Sequence, residues 1–421
     1  MLGVASFNFV VDPYRLFRTP AWHRFNEKKD AATNQIWLYK AYEVKRIRPV
    51  TLLLGSSRVA AGVDALSSSW PAGYLPVYNL GIDAATPYVE FRYLQHVMST
   101  YAPREVVIGL DFESFLDVLE ADHSVNHGFE FRLATNADGT ANAEASRQHI
   151  SDLVNVLLSY DALGDAVDTV TTNMFGNASG TEAGNEVDTE LENASLQTGT
   201  FPWFEWLNFI NVRRFSRSFN SFAMSDLQSL IDLCLSHKVH VVLYIHPIPA
   251  ETLEIMDRVG CWSTFEDWKR NLVRLTSEYD RSDAAGSLVL WDFSGYDEFS
   301  TEAAGGNRHV MRWFTEAWHY SRALGDLVIQ RVTGQSTADF GERLTSENLE
   351  AHLAEIRRRR LTYRETHPEE TTRVQAIYNA GIQALKRRLA LTAVSTRPER
   401  RNRTSAAPRA SSTANSNHNT G

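Results

Sequence analysis

The chain predicts an α/β fold: a central parallel sheet in a three-layer arrangement, with helices on both faces. Three observations carry that reading. Five short apolar runs, 50–54, 76–80, 105–110, 239–245 and 288–293, have the length and residue types of buried strands. Stretches with helical spacing of apolar residues alternate with them. The separation from run to run suits right-handed crossovers between parallel neighbours.

Taken in order, residues 1–48 are aromatic and mixed, and form a lead-in that packs on the main domain. Within it, 34–46 has helical spacing of Ile36, Leu38, Tyr39 and Tyr42. The first strand, 50–54, runs into Gly55-Ser56-Ser57-Arg58, read as a tight turn and a helix start. The second, 76–80, ends on Asn79-Leu80-Gly81. The helix over 86–101 has Pro87 in its first turn and an apolar stripe of Phe91, Leu94, Val97 and Met98. The third strand, 105–110, closes on Asp111.

From 117 to 199 the pattern changes, and this region is read as an insertion. It holds a polar stretch, 136–145, one helix over 150–167, and an acidic loop over 176–199 with no Lys or Arg. The aromatic stretch 201–206 (FPWFEW) is a packed corner or, more sharply, a substrate platform. The sheet then resumes with a helix over 224–236, the strand 239–245, a helix over 265–279, and 288–293 as the last strand. A helix over 323–332 ends the main domain, assigned to 49–333. Two charged helices, 345–364 and 369–391, make up an extension over 334–394. The tail from 395 to 421 has the composition of a disordered segment.

Bulk properties exclude several classes. At 421 residues the chain is long for one domain and short for three. A hydrophobic content of 43% suits a globular core. The net charge of −9 is wrong for a nucleic-acid binder. Cys234 and Cys261 form no framework and read as buried thiols. No run reaches the length of a membrane span, and residues 1–11 are apolar but short, without a basic leader. The sequence therefore reads either as cytoplasmic or as a chain lacking an N-terminal anchor. His237, His240 and His246 sit on or beside a strand without a convincing ligand set, so neither metal nor cofactor is predicted.

In an open parallel sheet the carboxyl ends of the strands form the ligand crevice. Ser57, Gly81 and Asp111 follow three such ends. A serine at a strand-to-helix turn, near the positive end of a helix, has the setting a nucleophile needs. The segment Glu316-x-x-His319, just before a helix, supplies a base and an acid to hold its tautomer. An ordinary βα turn with a serine cap is the plain alternative for 51–58.

These blocks resemble the SGNH, or GDSL-type, hydrolase superfamily. They look like the branch whose first block reads Gly-Ser-Ser-Arg or Gly-Thr-Ser-Arg, a branch similar to the bacterial D-alanyl transfer proteins and alginate O-acetyltransferases. The resemblance covers roughly residues 50–332. It implies a flavodoxin-like three-layer fold, Ser57 as nucleophile, His319 as general base and Glu316 as orienting acid. It also implies that Gly81, in the Asn79-Leu80-Gly81 block, gives its N–H to an oxyanion. Asp111 stands where the family carries an asparagine that donates there. A carboxylate cannot donate, and the loss of one such donor costs about 10²–10³ in rate. Arg58 is therefore expected to pair with Asp111 and bring positive charge to the hole.

The implied function is serine-dependent acyl-ester chemistry, as esterase or O-acyltransferase. Its partners are an acyl donor and a glycan-like or small ester substrate at the cell envelope. Relatives of that branch usually carry an N-terminal membrane helix, so membrane association through a missing anchor is part of the expectation. A second reading is a non-catalytic relative that binds or assembles within a polysaccharide-modification system. A third, a binder of a phosphorylated ligand, lacks a glycine-rich cradle in the first turn.

Overall fold

The structure is a computed structural model and describes residues 1–118, 127–176, 215–279, 287–302, 311–336 and 339–395. It is α/β, with a mostly parallel central sheet of six strands. The parallel strands are β1 (Thr51–Leu54), β2 (Val77–Asn79), β3 (Glu105–Leu110), β6 (His240–Ile245) and β7 (Leu288–Asp292). Their order, β2-β1-β3-β6-β7, is that of flavodoxin-like open sheets, with the switch point between β1 and β3. The register pairs Leu53 with Val107 and Leu54 with Ile108, so β1 and β3 end side by side. A two-residue strand, β8 (Glu342–Arg343), adds to β7 in the antiparallel sense. The sheet therefore does not end at 288–293 as the sequence indicated, because two residues carry no periodic signal.

Alternate side chains of each strand face opposite layers. One face carries Leu52, Leu54, Val106, Ile108, Val241 and Leu243. They pack on α2 (Ile36–Ile47), α4 (Pro87–Met98), α7 (Ser221–Ser236) and α9 (Trp262–Tyr279). The other face carries Leu53, Val107, Val242 and Tyr244, against α3 (Ser57–Gly62) and α10 (Arg322–Val332). Between β6 and α9 the chain forms α8 (Ala250–Arg258), a helix the sequence reading left out.

The excursion between β3 and α7 is closed by a ribbon of β4 (Leu116–Val118) and β5 (Phe215–Phe219). The helix expected over 150–167 is two helices, α5 (Ala145–Leu158) and α6 (Tyr160–Phe175). They part at Ser159, whose hydroxyl caps α6 by accepting from the N–H groups of Asp161 and Ala162. The break is also held from outside. Asn8 of α1 (Leu2–Val11) is buried, and its amide donates to the carbonyls of Val156, Leu157 and Ser159. The lead-in thus packs on the excursion as well as on the sheet.

The extension forms α11 (Leu349–Thr366) and α12 (Pro368–Ser395). No described helix is long and apolar enough to cross a membrane. The acidic stretch 177–199, the aromatic stretch 201–206 and the tail from 396 lie outside the described residues.

Candidate active site

The site is built at the switch point. β1 is followed by Gly55, whose φ of 144° belongs to glycine alone. A Cβ there would lie 2.3 Å from Val59 Cγ2. Ser56 caps α3: its hydroxyl accepts from the Arg58 N–H at 3.2 Å, and its carbonyl accepts from Val59 and Ala60. A short capping oxygen is the chemistry this position needs, and a serine supplies it. Ser57 is then the first helical residue. Its N–H has no helical acceptor, and the helix end is positive.

The imidazole comes from the other end of the chain. Residues 313–321 form a turn closed by an isolated Phe314–Tyr320 bridge and by the Thr315 N–H to His319 carbonyl bond at 3.0 Å. Ser321 caps α10 directly after it. Inside the turn Glu316 is buried. Its carboxylate accepts from the backbone N–H groups of Trp318 (3.0 Å) and His319 (2.7 Å) and bonds closely to His319 Nδ1. His319 Nε2 lies 2.8 Å from Ser57 Oγ. With Nδ1–H given to Glu316, Nε2 is the acceptor that faces the serine hydroxyl.

Two glycines let these segments meet. A Cβ on Gly325 of α10 would fall 1.7 Å from the Gly62 carbonyl oxygen, and one on Gly62 would strike the Tyr320 ring at 2.3 Å. Backbone therefore touches backbone where α3 meets α10. Gly325→Ala is expected to force the two helices apart and lower stability by about 1–3 kcal/mol. The serine–histidine contact should loosen with it. Urea unfolding and the rate of modification of Ser57 check both effects.

Arg58 lies behind the serine. Its guanidinium is 3.2 Å from Asp111 Oδ1 and 2.6 Å from Glu113 Oε1, and it stacks on Trp318 at 4.8 Å. Burial opposes its charge, but Glu113 and Asp111 outweigh that and hold the guanidinium charged above its ordinary range. One cation shared by two carboxylates leaves a surplus negative charge. Burial lifts the Glu113 carboxyl above its ordinary value despite Arg58, and Asp111 adds to the lift. Nothing in the sequence marked Glu113, since a short 3₁₀ turn over Phe112–Phe115 turns it back toward α3.

No protein-family model matches the chain, and no curated protein matches its sequence.

The Gly81 N–H, assigned to the oxyanion by resemblance, donates instead to Asn79 Oδ1 at 2.9 Å. The reason is local. Asn79 turns inward, and its amide donates to the carbonyls of Val59 (2.8 Å) and Val63 (2.7 Å), which leaves its oxygen beside Gly81. Asn79 and Gly81 thus tie the end of β2 to α3. The Gly81 carbonyl is held in turn by the buried Lys40 ammonium, which burial pulls down to about 8.

His246, at the end of β6, lies fully buried under the site. It faces Gly109, and its Nε2 is 3.8 Å from Asp111 Oδ2. Neither ring nitrogen has a hydrogen-bond partner among the described residues. Burial pushes its imidazole down to about 3 despite Asp111, so it is neutral. From the ordinary imidazole value near 6.5 down to about 3, the unfolded chain takes up a proton that the folded chain refuses. The stability present above that range is therefore lost as the pH falls, by about 1.4 kcal/mol per unit. His246→Leu should remove this contribution and leave that of the buried His96, so urea midpoints near pH 7 and near pH 5 should differ less than in the parent.

Proposed function

We propose that this chain is a serine-dependent acyl-ester enzyme of the SGNH type, an esterase or O-acyltransferase acting on a cell-envelope or exported glycan. The observation that carries the reading is the 2.8 Å approach of His319 Nε2 to Ser57 Oγ, with Glu316 on the far side of the imidazole. Two segments 262 residues apart meet there at the carboxyl edge of the sheet.

The reaction follows from that order. Ser57 Oγ attacks the ester carbonyl while His319 Nε2 takes the hydroxyl proton. The carbonyl oxygen becomes an oxyanion facing the Ser57 N–H and the positive end of α3. On collapse the C–O bond breaks, and His319 returns the proton to the leaving alcohol. The acyl-serine then passes its acyl group to water or to a sugar hydroxyl: His319 takes that nucleophile's proton and returns it to Ser57 Oγ as the Oγ–acyl bond breaks. Arg58, shared between Asp111 and Glu113, offsets part of the charge that the carboxylate at the family's asparagine position would turn on the oxyanion.

One observation favours a second reading. With the Gly81 N–H and the Asn79 amide both turned inward, the oxyanion is left with few donors. On that reading the chain keeps the fold and serves as a binding or assembly component of a polysaccharide-modification system. Turnover of a small aryl acetate, with and without an added glycan acceptor, separates the two. The enzyme reading expects release of the phenol and, for a transferase, acetylated glycan. A folded protein that releases no phenol and acetylates no glycan supports the second.

A further inference from the structure

The helices α11 and α12 lie outside the resemblance, yet their side chains lead back to the site through α8. Arg364 of α11 reaches Glu254 at 2.8 Å and Asp257 at 2.7 Å, and Arg360 meets Asp257 at 2.9 Å. Arg373 of α12 forks onto Glu251. Glu251 and Glu254 are 3% and 0% exposed, so both carboxylates sit where an unmatched charge is strongly unfavourable. The arginines, with the Tyr296 hydroxyl on Glu254 at 2.8 Å, allow α8 to be buried with its acids in place. Between those acids in sequence, Thr252 Oγ–H donates to the Ala317 carbonyl at 3.0 Å, both residues being 1% exposed. Ala317 is inside the Glu316–His319 turn.

We infer that α11 and α12 belong to the catalytic unit: they clamp α8, and Thr252 of α8 sets the position of the turn that carries His319. The inference rests on the reading of Ser57 and His319 as nucleophile and base. Thr252 is a positioning residue. It touches no reacting atom, but it holds the carbonyl next to Glu316 from behind. The turn's own backbone bonds close it on itself, and this tether joins the Trp318–Arg58 stack in holding it against the rest of the site. A displacement of about 1 Å at such a point can lower a rate by about 10²-fold.

The test uses the full chain and three variants: Thr252→Val, which keeps the shape without the donor, Thr252→Ser, which keeps the donor, and Arg373→Gln. Circular dichroism establishes folding. Two readouts follow, the rate of fluorophosphonate labelling of Ser57 and the NMR signal of a ring-labelled His319. Thr252→Val is expected to slow labelling about tenfold or more and to shift the His319 signal. Thr252→Ser should stay within about twofold of the parent, and Arg373→Gln should move in the direction of Thr252→Val. A merely structural threonine would not separate serine from valine in this way. Parent-like labelling and an unmoved His319 signal in folded Thr252→Val overturn the inference. If Arg373→Gln fails to fold, the two Thr252 variants decide. If the parent itself is not labelled, the enzyme reading fails, and the His319 signal alone decides whether α8 positions the turn.

Discussion

Alanine at Ser57 is expected to lower turnover of an aryl acetate by about 10³-fold or more, and alanine at His319 by a similar factor. The expectation comes from their contact: Oγ and Nε2 are 2.8 Å apart, and neither performs the attack without the other. Groups that act as one unit are not additive. The double variant Ser57→Ala/His319→Ala should therefore be no slower than either single one. Independent contributions would multiply, so initial rates for the three proteins decide between a working pair and two unrelated polar residues. Glu316→Gln belongs to the same series. An amide can still meet the His319 ring but no longer favours Nδ1–H, so a loss of about 10²–10⁴ is expected.

The second large effect is on stability. Arg58→Met leaves the carboxylates of Asp111 and Glu113 buried without their cation. Removing one partner from such a cluster costs about 3–5 kcal/mol, because the remaining charge keeps its desolvation penalty. Urea unfolding should show a fall of that size relative to the parent. Adding Asp111→Asn and Glu113→Gln to Arg58→Met removes the orphaned charges and should restore much of the loss. A small effect of Arg58→Met, or none of this recovery, would mean that the cluster is solvated rather than buried. It would then give the oxyanion no shielding from Asp111.

The parts of the fold that follow from short-range pattern were legible in the sequence. Continuous apolar runs such as 105–110 are long enough to mark buried strands, and the turn at 55–58 carries its own signals: a glycine that alone fits its φ and a serine that caps. The spacing from Glu316 to His319 places an acid and an imidazole in one tight turn, so these two residues could be paired on paper. What escaped depends on partners far away. α8 reads as polar because Glu251 and Glu254 are charged, and arginines more than a hundred positions later, with the Tyr296 hydroxyl, permit their burial. The break at Ser159 is held by Asn8, 151 residues upstream. Asn79 and Gly81 fit a sequence block, but the block does not say which way an amide turns. The carbonyls of Val59 in α3 and of Val63 just after it settle that.

The central claim is that the hydroxyl of residue 57 is a nucleophile activated by the imidazole of residue 319. The most direct measurement is peptide mass spectrometry of the folded protein after exposure to a fluorophosphonate. A single phosphonyl adduct on Ser57, absent from Ser57→Ala and strongly slowed in His319→Ala, is the predicted result. An unmodified Ser57 in the folded protein, or an adduct that forms as fast without His319, would contradict it.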